Sequence, residues 1–121
     1  MSGKKRRKPD LGPIPESWRH QVISILRGDD RKILTTKESD ADWQNLFPAS
    51  FTYERYEAMA TTLQVEGVLG KRIWNMVPEG EVYAFFFYHE GIRLYGKINL
   101  LSSGEVILIY SNHPPEKGDR L

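Results

Sequence analysis

The chain has 121 residues, 40% of them hydrophobic, the size and content of a single domain with a real core. It has no cysteine, so a disulfide framework and a thiolate zinc site are excluded. Its formal net charge of +1 conceals an asymmetry: Lys4, Lys5, Arg6, Arg7 and Lys8 face only Asp10 in the first ten residues, leaving 12 of the 17 cations and 15 of the 16 anions for the rest.

Residues 1–14 read as a disordered basic tail and lead-in, since the polybasic run has nothing apolar to bury. Such a tail can add sequence-independent affinity for phosphates, which makes Lys4, Lys5, Arg6, Arg7 and Lys8 candidate nucleic-acid contacts. The run is followed by Pro9, Asp10 and Gly12 rather than by an apolar stretch, so it does not read as a signal peptide. No window approaches the ~20 apolar residues a membrane span needs. A cytoplasmic location without a membrane partner is the expectation, with a single α+β domain over residues 15–121.

Pro13 and Pro15 keep the lead-in extended, and Pro15 suits a first helical turn. Trp18, Val22, Ile25 and Leu26 then fall on one helical face, and Gly28 is a natural stop. Residues 29–38 are polar, with a weak strand signal at Lys32–Thr36. Ser39 can cap a second helix, with Asp40 and Asp42 near its positive end and Trp43, Leu46 and Phe47 as its apolar side. A third helix follows Thr52, with Phe51 and Tyr56 at hydrophobic-staple spacing and Tyr56, Met59, Ala60 and Leu63 as one stripe.

From Lys71 onward the period changes to two. Three loops, Pro78-Glu79-Gly80, His89-Glu90-Gly91 and Ser102-Ser103-Gly104, each place glycine third, as a three-residue hairpin loop wants. They predict four antiparallel strands over 71–77, 81–88, 92–101 and 105–113. The fold expected is two or three N-terminal helices packed on one face of a C-terminal four-stranded antiparallel meander.

Those loops also predict a register. It sends Trp74, Val82, Ala84, Phe86, Tyr88, Leu94, Gly96, Ile98, Leu108 and Tyr110 to the helices. The opposite face then carries Lys71, Ile73, Tyr83, Phe85, Phe87, Arg93, Tyr95, Lys97, Asn99, Ile107, Ile109, Ser111 and His113. Cations interleaved with rings suit single-stranded nucleic acid: rings stack on bases and cations meet phosphates. Lys71, Phe85, Phe87 and Ser111 are candidate binding residues. His113 can exchange protons near neutral pH, while Arg93 or Lys97 can stabilise charge developing on a phosphate. Attack by a 2′-hydroxyl needs only such groups.

Helices followed by an antiparallel meander with basic residues on the exposed sheet face resemble the RelE-like messenger-RNA interferase toxins, including the MqsR branch. The segments carrying the likeness are YERYEAMATTL (53–63), EVYAFFFY (81–88), RLYGKINLL (93–101) and EVILIYSNHPPEKGD (105–119). The likeness spans about residues 50–119 and lies in organisation. In such toxins, basic residues on the central strands and a tyrosine or histidine near the last strand carry RNA cleavage. The resemblance therefore implies catalytic roles for Arg93, Lys97, Tyr95 and His113, and a protein partner such as an antitoxin. The acidic body departs from the basic character of those toxins.

His20, His89 and His113 show no metal-ligand spacing, with His89 read as a turn residue, so neither a metal nor another cofactor is expected. No motif alone names an activity. The reading is an RNA-binding protein, in its sharper form a metal-independent endoribonuclease of toxin type. The alternative is a non-catalytic module whose aromatic sheet face binds a protein or a second copy of the chain.

Overall fold

The computed structural model describes residues 10–115, and the basic run Lys4, Lys5, Arg6, Arg7 and Lys8 lies outside them. In chain order the elements are β1 (Leu11–Pro13), α1 (Glu16–Leu26), a 3-10 turn (Asp30–Lys32), β2 (Ile33–Thr35), α2 (Lys37–Leu46), α3 (Thr52–Leu63), β3 (Leu69–Ile73), β4 (Gly80–His89), β5 (Ile92–Leu101) and β6 (Ile107–His113). The class is α+β, with three helices. The sheet, however, has six strands, in the order β1-β3-β4-β5-β6-β2, where four were expected. Strands β3 to β6 form the antiparallel meander. The lead-in adds β1 antiparallel to β3, and Ile33–Thr35 adds β2 parallel to β6. The two outermost strands of the sheet are each three residues long. No helix among the described residues is long and apolar enough to cross a membrane.

The helices form where their apolar stripes dictate. Trp18, Val22, Ile25 and Leu26 of α1 are buried, as are Trp43 of α2 with Phe47 after it, and Met59, Ala60 and Leu63 of α3. The caps differ from expectation. Thr36, not Ser39, caps α2, its hydroxyl accepting from the Ser39 amide at 3.1 Å. Ser39 is instead fully buried, where its carbonyl accepts from Asn112 Nδ2 at 2.8 Å. At α3 the Glu54 carboxylate reaches back to the Phe51 amide at 2.8 Å, while the Phe51 ring lies exposed and stacked on Tyr53. Two arginines are buried. Arg19 donates to the carbonyls of Ile14 and Leu63, tying α1 to the end of α3, and Arg55 pairs with Asp40 at 2.7 Å. A hydrogen bond from the Trp18 indole to the Glu81 carbonyl, at 2.9 Å, fixes α1 over β4.

The helices share one cluster with Phe85, Phe87, Leu94, Ile98, Ile107 and Ile109. The expected faces are therefore half right. On β5 they hold: Leu94, Gly96 and Ile98 turn to the helices while Arg93, Tyr95 and Lys97 turn away. On β4 they invert. Phe85 and Phe87, expected outside, are fully buried core, and Tyr83 turns the same way, its ring 5.0 Å from Trp18. Val82, Ala84, Phe86 and Tyr88 take the opposite face, where Val82 and Ala84 are themselves fully buried and Tyr88 is exposed.

The physical reason is the turns. Glu90 and Gly91 both have positive φ, 49° and 77°, so the β4–β5 connection is a two-residue turn that matches strand twist, and His89 joins the ladder opposite Ile92. One residue fewer in the loop moves every β4 side chain to the other face. Phe85 and Phe87 then sit over Gly96, where an added Cβ would lie 3.0 Å from the Phe87 ring. Between β3 and β4 the connection is longer than three residues, running from Trp74 to Glu79 with Asn75 at φ 61°.

Strand β6 combines two shifts. Leu101 N donates to Val106 O, so that loop holds four residues where three were expected, and Ile107 and Ile109 turn inward. A bulge at Lys97/Ile98 then lets Tyr110 and Ser111 share the space opposite Lys97 and shifts the register again. The second shift returns Ser111 and His113 to the outer face.

Candidate nucleic-acid interface

The register assembles the outer face row by row. Tyr88 pairs with Arg93. Phe86, Tyr95 and His113 form the next row, and Lys71, Ala84, Lys97 and Ser111 the one after. Ile73, Val82, Asn99 and Leu108 form the fourth. Arg93, Tyr95, Lys97 and His113 are thus brought to one side, together with Lys71 and Ser111. Phe85 and Phe87 are removed from the candidate binding residues because they fill the core. Phe86, Tyr88 and Tyr110, which the sequence reading assigned to the core, take their place.

Each side chain has a local support. The Tyr95 and His113 rings stack with centroids 5.9 Å apart and planes at 23°. His113 Nδ1 lies 2.8 Å from the Pro114 carbonyl, which can only accept, so Nδ1 donates that hydrogen bond. The Arg93 guanidinium lies over the Phe86 ring at 4.6 Å, and Lys97 Nζ lies 5.8 Å from the Tyr110 ring. Along β5, Arg93 and Lys97 are about 13 Å apart at strand rise, with Tyr95 midway. The two cations therefore bracket the Tyr95–His113 stack.

The other end of this face is closed. Asn99 Nδ2 donates to the Pro78 carbonyl at 2.8 Å and to the Tyr110 hydroxyl at 3.0 Å, and that hydroxyl donates to the Val77 carbonyl at 3.1 Å. The β3–β4 connection is thereby tied down over the Asn99 row.

Charge on this face is one-sided. Of all strand residues only Glu81 is acidic, and alternation places it with Tyr83 on the helix side. Among the described residues, Lys71, Arg93 and Lys97 enter no ion pair; the pairs formed are Arg27–Glu57, Arg31–Asp29, Arg55–Asp40 and those of His89.

A second arrangement had no sequence signal. His89 at the end of β4 gathers Glu54 and Glu90, with ligand-capable atoms all within 4.8 Å of one another. It closes one end of a groove of about 1170 Å³ between α3 and β4, lined by Tyr53, Ala58, Val65, Leu69 and Tyr88 among others. Glu54 and His89 lie far apart in sequence, and only the packing of α3 over β4 unites them.

Comparison with known proteins adds no relative: no family model matches the chain, nor does any curated protein or solved structure.

Proposed function

We propose that the outer sheet face binds single-stranded RNA and cleaves it without a metal ion, in the manner of the RelE-like interferases. One observation carries the reading: on this face Lys71, Arg93 and Lys97 surround the Tyr95–His113 stack, and no acidic strand residue shares it. Phosphates are attracted to such a surface, and the exposed Tyr88 ring offers a base a place to stack.

In the cleavage step His113 Nε2 takes the proton of a 2′-hydroxyl. The O2′ attacks phosphorus and the bond to the 5′-oxygen breaks. The leaving oxygen takes a proton from water, giving a 2′,3′-cyclic phosphate and a 5′-hydroxyl end. Lys97 and Arg93 offset the charge that builds on the phosphoryl oxygens. Tyr95 positions the imidazole.

The competing proposal, a module binding a protein or a second copy through an aromatic sheet face, loses Phe85 and Phe87 to the core. The test is incubation of the full chain with end-labelled single-stranded RNA in excess chelator, with cleavage ends mapped and binding followed by anisotropy. Cyclic-phosphate ends, lost in His113→Ala, support the reading. Absence of both binding and cleavage, with concentration-dependent dimerisation by size-exclusion chromatography, supports the competitor.

A further inference from the structure

We propose that Glu54, His89 and Glu90 form a binding site for one divalent transition-metal ion, Zn²⁺ by preference, at the end of the groove between α3 and β4. The site is separate from the His113 surface, lying at the helix-side end of β4.

The side-chain atoms of Ser50, Glu54, His89 and Glu90 converge closely enough for one ion to bridge them. His89 Nε2 lies 3.2 Å from Ser50 Oγ, 3.4 Å from Glu90 Oε2 and 3.8 Å from Glu54 Oε1, and Ser50 Oγ lies 3.3 Å from Glu90 Oε2. Hydrogen bonds between such groups settle near ~2.8 Å. Nitrogen and oxygen ligands ~2.0–2.1 Å from a tetrahedral ion lie about 3.3–3.4 Å from each other. The Ser50–Glu90 and His89–Glu90 separations match that edge length and His89–Ser50 nearly does, while the atoms of Glu54, His89 and Glu90 lie within 4.8 Å of one another, so Glu54 must close toward the other two when an ion binds.

The ligands are held. The His89 ring, largely buried, stacks at 4.9 Å from Trp43 and meets Phe47 at 4.7 Å, which aims Nε2 at the carboxylates. Glu54 is anchored through Oε2, which accepts the Phe51 amide at 2.8 Å, so Oε1 is the atom presented to His89. A ligating carboxylate oriented by a backbone donor is the support that metal sites require.

Among the described residues no lysine or arginine pairs with Glu54 or Glu90; Arg27 is forked onto Glu57, and Arg55 donates to Asp40 and to the Ser39 hydroxyl. Two carboxylates therefore converge on one imidazole. One nitrogen and two carboxylate oxygens, with Ser50 or a water as fourth ligand, suit Zn²⁺, Co²⁺ or Mn²⁺ and are too few for Ca²⁺.

The experiment titrates the full chain, first stripped with chelator, with Co²⁺ followed by visible absorption, then displaces it with Zn²⁺. One equivalent should bind with the intense absorption of a tetrahedral site, and Zn²⁺ should bleach it. His89→Ala should abolish the signal. Glu54→Gln and Glu90→Gln should each weaken binding at least tenfold, while His20→Ala and His113→Ala leave the titration unchanged. Glu90 is exposed, so Glu90→Gln decides the matter even if His89→Ala fails to fold. No binding by the wild-type chain up to millimolar metal, Glu90→Gln binding like wild type, or loss of the signal in His113→Ala would each overturn the site.

Discussion

Tyr95 and His113 stand directly opposite each other on β5 and β6, and their rings stack with centroids 5.9 Å apart. The stack makes the tyrosine a support for the imidazole, which separates the roles of ring and hydroxyl. Tyr95→Phe should cleave RNA like the wild type. His113→Ala should lose about 10²–10⁴-fold in rate, the usual worth of a general base, with its unfolding midpoint little changed. Equal losses in Tyr95→Phe and His113→Ala, measured under single-turnover conditions, would give the hydroxyl a part in the chemistry and contradict the support role.

Lys71 and Lys97 share a row across the small Ala84, about 10 Å apart at strand spacing, with Arg93 further along β5. Each phosphate neutralised on a single strand should contribute about −0.7 to the slope of log affinity against log salt. Removing all three cations should therefore flatten that slope by about 2. Fluorescence anisotropy over a salt series reads the change, and an unaltered slope would place the phosphates elsewhere.

Gly96 lies beneath the Phe85 and Phe87 rings, both fully buried. A methyl group there meets the Phe87 ring at 3.0 and 3.1 Å and Phe85 at 3.4 Å. Gly96→Ala should destabilise by about 1–3 kcal/mol, the cost of overpacking a filled core. Phe87→Leu in the same chain should recover part of the loss. Urea unfolding of the wild type and the two variants tests this, and a Gly96→Ala chain as stable as the wild type would mean the rings have room to yield.

Arg27 donates to both Glu57 oxygens, at 3.0 and 2.8 Å, and these hydrogen bonds hold the Glu57 carboxyl below its ordinary range. A carboxyl lowered by folding stabilises the fold at neutral pH and loses that contribution as pH falls through its folded titration. The pair is exposed and worth about 0.5 kcal/mol. Glu57→Gln should therefore unfold slightly earlier in urea at about pH 7 and together with the wild type at about pH 3. A difference that grows in acid would have the wrong sign.

The helices were legible because a period near 3.6 needs no knowledge of loops: Trp18, Val22, Met59 and Leu63 are core on both views. The faces of the strands depended on counting loop residues, and each hairpin loop differed by at least one from the glycine-third rule. The β4 error put Phe85 and Phe87 on the wrong side. Arg93, Tyr95 and Lys97 kept their side because β5 kept its facing to the helices. His113 kept its side because the four-residue loop and the bulge at Lys97/Ile98 add two shifts, which preserves parity. A bulge has no reliable signature in a single sequence. The Glu54–His89–Glu90 cluster was illegible for a different reason, since helix-on-sheet packing unites residues that share no local pattern.

The most direct test of the RNA-binding claim is an amide NMR titration with a short single-stranded RNA at two salt concentrations. Shifts confined to Lys71, Arg93, Tyr95, Lys97, Ser111, His113 and their strand neighbours, weakening as salt rises, are the predicted result. Shifts that instead line the groove at Tyr53, Val65 and Leu69, or no shifts at all, would contradict it.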